Sequence, residues 1–421
     1  MSLLDYGKEG ATHNFQMPNL MQNINTDILI VGGGIIGLTV ARELCNRWPN
    51  IKITLIEKEP SFAAHASGRN SGVIHAGFYY TPDSLKAKFT ADGNRLLTDY
   101  CVKHNLSINR CGKVVVAKDA KELEMLYELK RRGDKNGVDV KVVDEKELIK
   151  LEPNANTYRE ALYSPATSTV NPKEVVEHIA ESLKGKITIL LNEKFLNRDD
   201  LDVVSTTSAT INFKYLINTA GLYAEKVAHT FGLGFKYTVI PFKGLYMQYS
   251  DKNLIKKHIY PVPDLRNPFL GVHFTKTVDG KVKIGPTAIP AFWKENYEGI
   301  SNFDFNEMVK TLFYETRLFI SNSFNFRGLA FEEIKKYYGP YLKDQASLLV
   351  KEIDKNKFGG FLQPGIRAQL LDKENMSLVQ DFVLEYGDNS VHVLNSVSPA
   401  FTCSFSFGKF IVDEVEKRWN R

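Results

Sequence analysis

Thr26–Val31 (TDILIV) is a short apolar run without polar alternation, the pattern of a parallel strand buried on both faces. Glycines interrupt it at 32–34, and apolar positions then recur with helical spacing over Ile35–Arg47. Lys52–Glu57 (KITLIE) predicts a second strand, closing a strand–helix–strand unit of about thirty residues. The same periodicity predicts a helix opening at Pro82-Asp83, with Leu85, Phe89, Leu96 and Tyr100 on one side, and others over Lys121–Gly137 and Pro172–Leu183. Ile187–Leu191, Ala209–Asn218, Leu378–Glu385 and Val391–Leu394 read as strands, and Phe235–Tyr249 and Gly271–Ile284 as β-rich. Asn306–Phe319 and Glu332–Leu349 read as helical, the latter broken at Gly339-Pro340, and a last helix is expected from Pro399 to Trp419.

The nucleotide-binding signals fall near the start, the middle and the end of this series, with β-rich stretches between them. This predicts a discontinuous dinucleotide-binding domain over 26–105, 160–235 and 355–421, a second domain built from 106–159 and 236–354, and a loose tail over 1–25. The 421 residues suffice for two to three domains.

Composition narrows the class. Hydrophobic residues make up 43% and charged residues 24%, ordinary for a globular chain. A formal charge of +5 spread over this length lacks the dense basic stripe of a nucleic-acid binder, so no nucleic-acid partner is expected. Cys45, Cys101, Cys111 and Cys403 have no CxxC spacing and no accompanying His cluster, so no metal is expected, and the thiols read as reduced in a cytoplasmic setting. The longest apolar run is too short to span a bilayer, which predicts no transmembrane segment and leaves peripheral docking at an inner membrane open.

Gly32-Gly33-Gly34-Ile35-Ile36-Gly37 satisfies G-x-G-x-x-G between strand and helix. Gly32 permits the tight turn, Gly34 the approach of a pyrophosphate to backbone amides, and Gly37 close helix–strand packing. Glu57, about twenty residues beyond Gly37, is placed to accept hydrogen bonds from ribose hydroxyls, with Lys58 beside it. This set admits NAD as readily as FAD. A second segment, Ser67-Gly68-Arg69-Asn70-Ser71-Gly72-Val73-Ile74-His75-Ala76-Gly77, is dense in small residues and polar donors suited to a polyanionic cofactor. A third, Ile217–Leu222, carries Ala220 and Gly221 at a late strand-to-helix crossover.

Six stretches carry a resemblance: GRNSGVIHAGFYYTPDSLKAK (Gly68–Lys88), IPFKGLYM (Ile240–Met247), IYPVPDLRNPFLGVHFT (Ile259–Thr275), IGPTA (Ile284–Ala288), GIRAQLLD (Gly365–Asp372) and NSVSPAFTCS (Asn395–Ser404). With them the chain resembles the L-2-hydroxyglutarate dehydrogenase/oxidase family of the D-amino-acid-oxidase-like flavoproteins. The resemblance implies an α/β fold: a Rossmann-like FAD-binding domain of the glutathione-reductase type, with an inserted α+β substrate domain on an antiparallel sheet. It implies FAD as cofactor and oxidation of the 2-hydroxyl of a dicarboxylate, L-2-hydroxyglutarate, with a membrane quinone or oxygen as electron acceptor. Ser398, Pro399, Ala400 and Thr402, ahead of the last helix, are implied to lie by the flavin, where amides can stabilise charge on the reduced ring. Val397 and Phe401 depart from the family's usual residues there. The alternatives on the same fold are an amino-acid or amine oxidase and a flavin-bearing subunit without catalysis.

A hydroxydicarboxylate needs cations for its carboxylates and a base for its hydroxyl proton. Arg367 matches the Gly-x-Arg position that holds a carboxylate in amino-acid-oxidase relatives, and arginine's planar fork suits that task. Arg266 and Lys243 are candidates for the distal carboxylate, and Tyr79, Tyr80 and Tyr260 offer hydroxyls. His75 and His273 are the histidines inside the matching motifs, and either can serve as base near neutral pH. His75 is equally placed to tether the flavin or hydrogen-bond it.

Overall fold

The computed structural model describes residues 21–265 and 269–419. Gln22–Val31 is the central strand of a sheet, pairing in parallel with Ile53–Ile56 on one side and Ala209–Asn218 on the other. Thr188–Leu190 continues the sheet in parallel beyond Ile53–Ile56, and Ser390–Asn395 pairs in parallel with Ala209–Asn218. The first strand starts at Gln22, four residues before the expected Thr26. Helices Ile35–Arg47, Leu85–Lys103, Pro172–Leu183 and Ala400–Trp419 bury their apolar sides, with Leu38, Val40, Leu97, Ile179 and Phe407, in one core against this sheet. The other face of the sheet buries Leu29, Val31, Leu216 and Phe213 against Val227.

Local chemistry fixes the helix starts. Asn171 accepts from the amides of Lys173 and Glu174 ahead of Pro172. Ser84 accepts from Ala87 N, and the Asp381 carboxylate takes the amides of Leu85 (2.8 Å) and Lys86 (3.0 Å), placing a negative charge on the same N-terminus. The break expected at Gly339-Pro340 falls at Tyr338: the helix Phe326–Tyr337 ends there, and Gly339-Pro340 open the next helix, where a proline's missing N–H leaves nothing unsatisfied.

A second large sheet runs in the order Phe358–Phe361, Met247–Tyr249, Val282–Gly285, His273–Lys276, His258–Pro261, Lys113–Val116, Glu160–Ser164, Lys141–Asp144. It is antiparallel except where His258–Pro261 runs parallel to Lys113–Val116. A smaller antiparallel sheet joins Ile289–Pro290, Tyr237–Gly244, Gly365–Asp372 and Ser377–Leu378. Glu160–Ser164 joins the second large sheet, and Phe358–Phe361 and Gly365–Asp372 pair with strands that lie between residues 236 and 354. Their apolar runs carry no mark of which sheet receives them. The four cysteines are free. No helix among the described residues is long and apolar enough to cross a membrane.

One helix carries an apolar stripe on its outer face. Phe305–Ser321 exposes Phe305, Val309, Leu312, Phe313 and Ile320 at helical spacing, while Leu318 is buried on the other side together with Glu307 and Thr311.

Candidate functional site

The sheet register assembles the first part of the site. Val31 lies opposite both Ile56 and Asn218, so Gly32, Glu57 and Thr219 leave the carboxyl edge of the sheet side by side, where open α/β sheets take their ligands. Gly32 has φ +103°, a conformation that favours glycine. At Gly37 an added Cβ would stand 2.1 Å from the Gly32 carbonyl oxygen and 2.7 Å from Thr219 Oγ1, so this glycine sets the approach of helix to strand. At Gly34 the added Cβ would meet Ser67 Oγ at 3.1 Å and otherwise open space among the described residues, which leaves room for a pyrophosphate beside the helix N-terminus. Glu57 is held in place by the amides of Gly33 (2.8 Å to Oε2) and Glu59 (3.0 Å to Oε1), and each oxygen keeps a further lone pair for a ribose hydroxyl.

The 67–77 segment contributes in two ways. Ser67 Oγ accepts from Ile35 N at 2.9 Å, fastening the segment to the helix start. Asn70 spends its side chain on the segment itself, donating to the carbonyls of Ala66 and Ser67 and accepting from Gly72 N. Arg69 donates from Nε to Ala64 O (2.7 Å) and lies 4.3 Å from the Tyr297 ring centre. Gly68 and Gly72 pack closely on backbone, their added Cβ atoms falling 2.0 Å from Ala63 O and 2.3 Å from Val170 O. They shape the loop whose other members line the cavity.

That cavity, about 650 Å³, runs without a break from Gly32–Gly34, Glu57 and Lys58, past Ser67, Arg69, Asn70 and Ser71, to Ala220, Gly221, Ser398, Pro399, Ala400, Thr402, Arg367 and His273. Its size is that of a cofactor or ligand pocket. The glycine turn, the amide-rich helix start and the acid at the strand end together fit an adenine dinucleotide, and the remaining length reaches the polar groups at the far end.

At the far end Phe242 pairs with Arg367 across two antiparallel strands, which sets both on one face with Phe269; the guanidinium lies 5.1 Å from the Phe269 ring centre. Burial pushes the Arg367 guanidinium down to about 10, with Tyr80 opposing, so it keeps its charge at neutral pH. His273 stacks on Tyr260 at 3.8 Å. Its Nδ1 lies 2.8 Å from the Gly271 carbonyl oxygen, which can only accept, so Nδ1 carries the proton and Nε2 is the basic nitrogen. Burial, above all, pushes this imidazole down to about 3, while the Gly271 bond opposes. His75 also lines the cavity. Its amide donates to Thr402 Oγ1 at 3.0 Å, its Nδ1 is buried without a hydrogen bond among the described residues, and burial first and Lys113 second push it well below the usual imidazole range.

Two of the expected substrate contacts lie apart from Arg367 and His273. Strand alternation turns Lys243, opposite Ile366, to the other face from Arg367, where its Nζ meets Asn296 Oδ1 at 3.4 Å. Tyr79 lies outside the cavity wall, its ring 4.5 Å from Lys113 Nζ and its buried hydroxyl without a partner among the described residues. Arg266 lies outside the described residues.

The residues missed from sequence are lysines. Lys86, buried at the start of its helix, is pushed down to about 7 by burial and then by the charge of Arg367, with Asp381 opposing; it lies 5.8 Å from the Tyr80 ring centre. It stands in the quoted SLKAK, where helical periodicity alone reads it as a solvated cation. Lys113 is buried in the second large sheet, behind Tyr260. Near the nucleotide end, Lys58 pairs with Glu59 and with Glu295 (2.7 Å); His65 meets Glu59 and Tyr297 at 2.8 Å, and Tyr223 donates to Glu295 at 2.8 Å. This network ties residues 58–65 to residues 295–297, about 230 positions apart, which no local pattern foretells.

The family described as FAD dependent oxidoreductase (DAO) matches residues 27–413. The chain is 34% identical over 420 residues to the mitochondrial L-2-hydroxyglutarate dehydrogenase of Homo sapiens, covering 93% of this chain and 89% of that one. It is 35% identical over 406 residues to L-2-hydroxyglutarate dehydrogenase of Indibacter alkaliphilus, covering 93% and 99%. In fold it is similar to the FAD-bound L-alpha-glycerophosphate oxidase of Mycoplasma pneumoniae (TM-score 0.71, 23% identity, 94% and 95% covered). It is also similar in fold to glycine oxidase of Geobacillus kaustophilus (TM-score 0.69, 15% identity, 94% and 95% covered).

Proposed function

Because the chain belongs to the DAO family of FAD-dependent oxidoreductases, and within it to the L-2-hydroxyglutarate dehydrogenases, we propose that it oxidises L-2-hydroxyglutarate to 2-oxoglutarate. The observation that carries this reading is the far end of the cavity, where a charged arginine and an unprotonated imidazole face one space. Gly32, Gly34, Glu57, Ser67 and the segment around Ser398–Thr402 would hold the FAD. Bound FAD supplies the acceptor for the hydride that leaves C2. Arg367 grips the carboxylate next to C2 through its planar fork. His273 Nε2 receives the hydroxyl proton, since its partner nitrogen is committed to Gly271. We place the domain division on strand pairing, with Glu160–Ser164 and the strands between Phe358 and Leu378 in the substrate-binding part.

The experiment is anaerobic mixing of the holoenzyme with a panel of hydroxy acids and amino acids. Bleaching of the visible flavin band by L-2-hydroxyglutarate is expected. Bleaching by an amino acid alone would move the chain to the amino-acid oxidases, and no bleaching by any member would leave it a flavin carrier.

For the acceptor we read a quinone held in a bilayer. The exposed stripe of Phe305, Val309, Leu312, Phe313 and Ile320 supports it, because an apolar helix face left in water is stabilised by lipid.

A further inference from the structure

A buried amine stands behind the imidazole just assigned as base. In Lys113–Val116, Lys113 lies opposite His258 and Val115 opposite Tyr260, and in the next pair Ile259 lies opposite Phe274. Alternation therefore sets Lys113, His258, Tyr260 and His273 on one face of the sheet. Val114, Ile259 and Phe274 fall on the other, inside the core.

Lys113 has 0% exposure, and its Nζ has no hydrogen-bond partner among the described residues. Three rings surround it, with centres at 4.5 Å (Tyr79), 4.7 Å (Phe78) and 4.7 Å (Tyr260). Tyr260 touches His273 in turn, stacked at 3.8 Å with planes 20° apart. An ammonium enclosed without a carboxylate is unfavourable, and π faces offset only part of that. Such an arrangement makes Lys113 a candidate for a functional role.

The titratable groups around Lys113 are His75, His258, His273, Tyr79 and Tyr260, and its charge opposes protonation of all three imidazoles. His273 is faced by Tyr246, Tyr260, His75, Lys113 and Lys336, but Lys336 is paired with Glu333. Lys113 is thus the cation whose field on His273 has no partner to cancel it among the described residues.

We propose that Lys113 is a positioning residue of the active site, whose charge behind the Tyr260 ring adds to burial in holding His273 unprotonated in acid, so that it can still accept the substrate's hydroxyl proton there. The proposal rests on His273 being the base. Burial brings Lys113 down to about 7, so the amine is charged in the acidic range where an ordinary imidazole would take a proton. Above that range the imidazole needs no help. With the two groups on the order of 8 Å apart and an effective dielectric of about 20, the repulsion lowers the imidazole by about one to one and a half pH units.

The test compares wild type, Lys113→Met and Lys113→Arg as FAD-loaded proteins, using histidine-labelled NMR titration and anaerobic flavin reduction against pH. The His273 resonance is assigned with His273→Gln. In Lys113→Met the His273 midpoint should rise by about one unit, and the rate on the acid limb should fall about tenfold while the alkaline plateau stays. Lys113→Arg, which keeps the charge, should hold the midpoint at or below that of wild type. An unmoved midpoint in Lys113→Met, with a rate loss equal at every pH, overturns the proposal and makes Lys113 a packing residue. Should Lys113→Met not fold, a raised midpoint in Lys113→Arg, or a wild-type midpoint near the ordinary imidazole value, overturns it equally. The titration needs no substrate, so a wrong substrate leaves it intact. His273→Gln with an unchanged rate would instead remove His273 as base.

Discussion

Replacing Gly37 by alanine would place a Cβ 2.1 Å from the Gly32 carbonyl oxygen and 2.7 Å from Thr219 Oγ1. Neither obstacle can turn aside. The first is backbone at the tight turn, and the second is a buried hydroxyl bonded to Val31 O and Gly32 O. The helix Ile35–Arg47 must therefore shift by about an ångström, at an overpacking cost of about 3 kcal/mol. Better helix propensity returns about 1 kcal/mol. The net loss of about 2 kcal/mol lowers the Tm of the nucleotide-binding part by roughly 3–5 °C and carries the helix N-terminus off its ligand. Gly34→Ala is the contrast. Its backbone is extended (φ −71°, ψ 177°), and its Cβ would meet only Ser67 Oγ at 3.1 Å, so the apoprotein should melt within about 1 °C of wild type. Its methyl would instead occupy the space left for the pyrophosphate and weaken FAD by tenfold or more. Differential scanning fluorimetry of the apoproteins and FAD titration by fluorescence read the two effects separately. Equal Tm values for Gly37→Ala and wild type would refute the close-packing account. Undiminished FAD affinity in Gly34→Ala would refute the pyrophosphate placement.

Arg367→Met should raise KM at least a hundredfold with flavin content unchanged, and loss of FAD would assign the arginine to the cofactor instead. His273→Gln should slow flavin reduction by a hundredfold or more in stopped flow, and the larger loss appearing in His75→Gln would exchange their roles. Burial lifts the Glu315 carboxyl from 4.5 to about 8, so the folded chain holds a proton that the unfolded chain releases. Stability contributed by this group is thus intact below about pH 4.5 and declines as pH rises to about 8. Glu315→Gln should accordingly raise the denaturation midpoint at pH 8 and not at pH 4.5; an equal change at both would place the effect elsewhere. Finally, the double substitution Leu312→Glu, Phe313→Glu should abolish co-sedimentation with phosphatidylcholine–phosphatidylglycerol vesicles and leave turnover with a soluble dye acceptor intact. Equal sedimentation of both proteins would remove that face from membrane docking.

Much of the nucleotide end was legible because its determinants are local. The run TDILIV, the glycines after it and the spacing from Ile35 fix a strand, a turn and a helix over a few residues each, and the helices Ile35–Arg47 and Pro172–Leu183 and the strand Ala209–Asn218 fall where periodicity put them. The family motifs likewise marked His75, His273 and Arg367 before any contact was known. What the pattern of one stretch cannot encode is which distant strand it will meet. Glu160–Ser164 and Gly365–Asp372 carry the same apolar alternation as any strand, and only pairing assigned them to their sheets. Pairing likewise turned Lys243 away from Arg367. Along the chain nothing sets Lys86 and Lys113 apart from other lysines. Tertiary packing alone removed them from water, and that desolvation, absent from any local sequence pattern, makes them chemically distinctive.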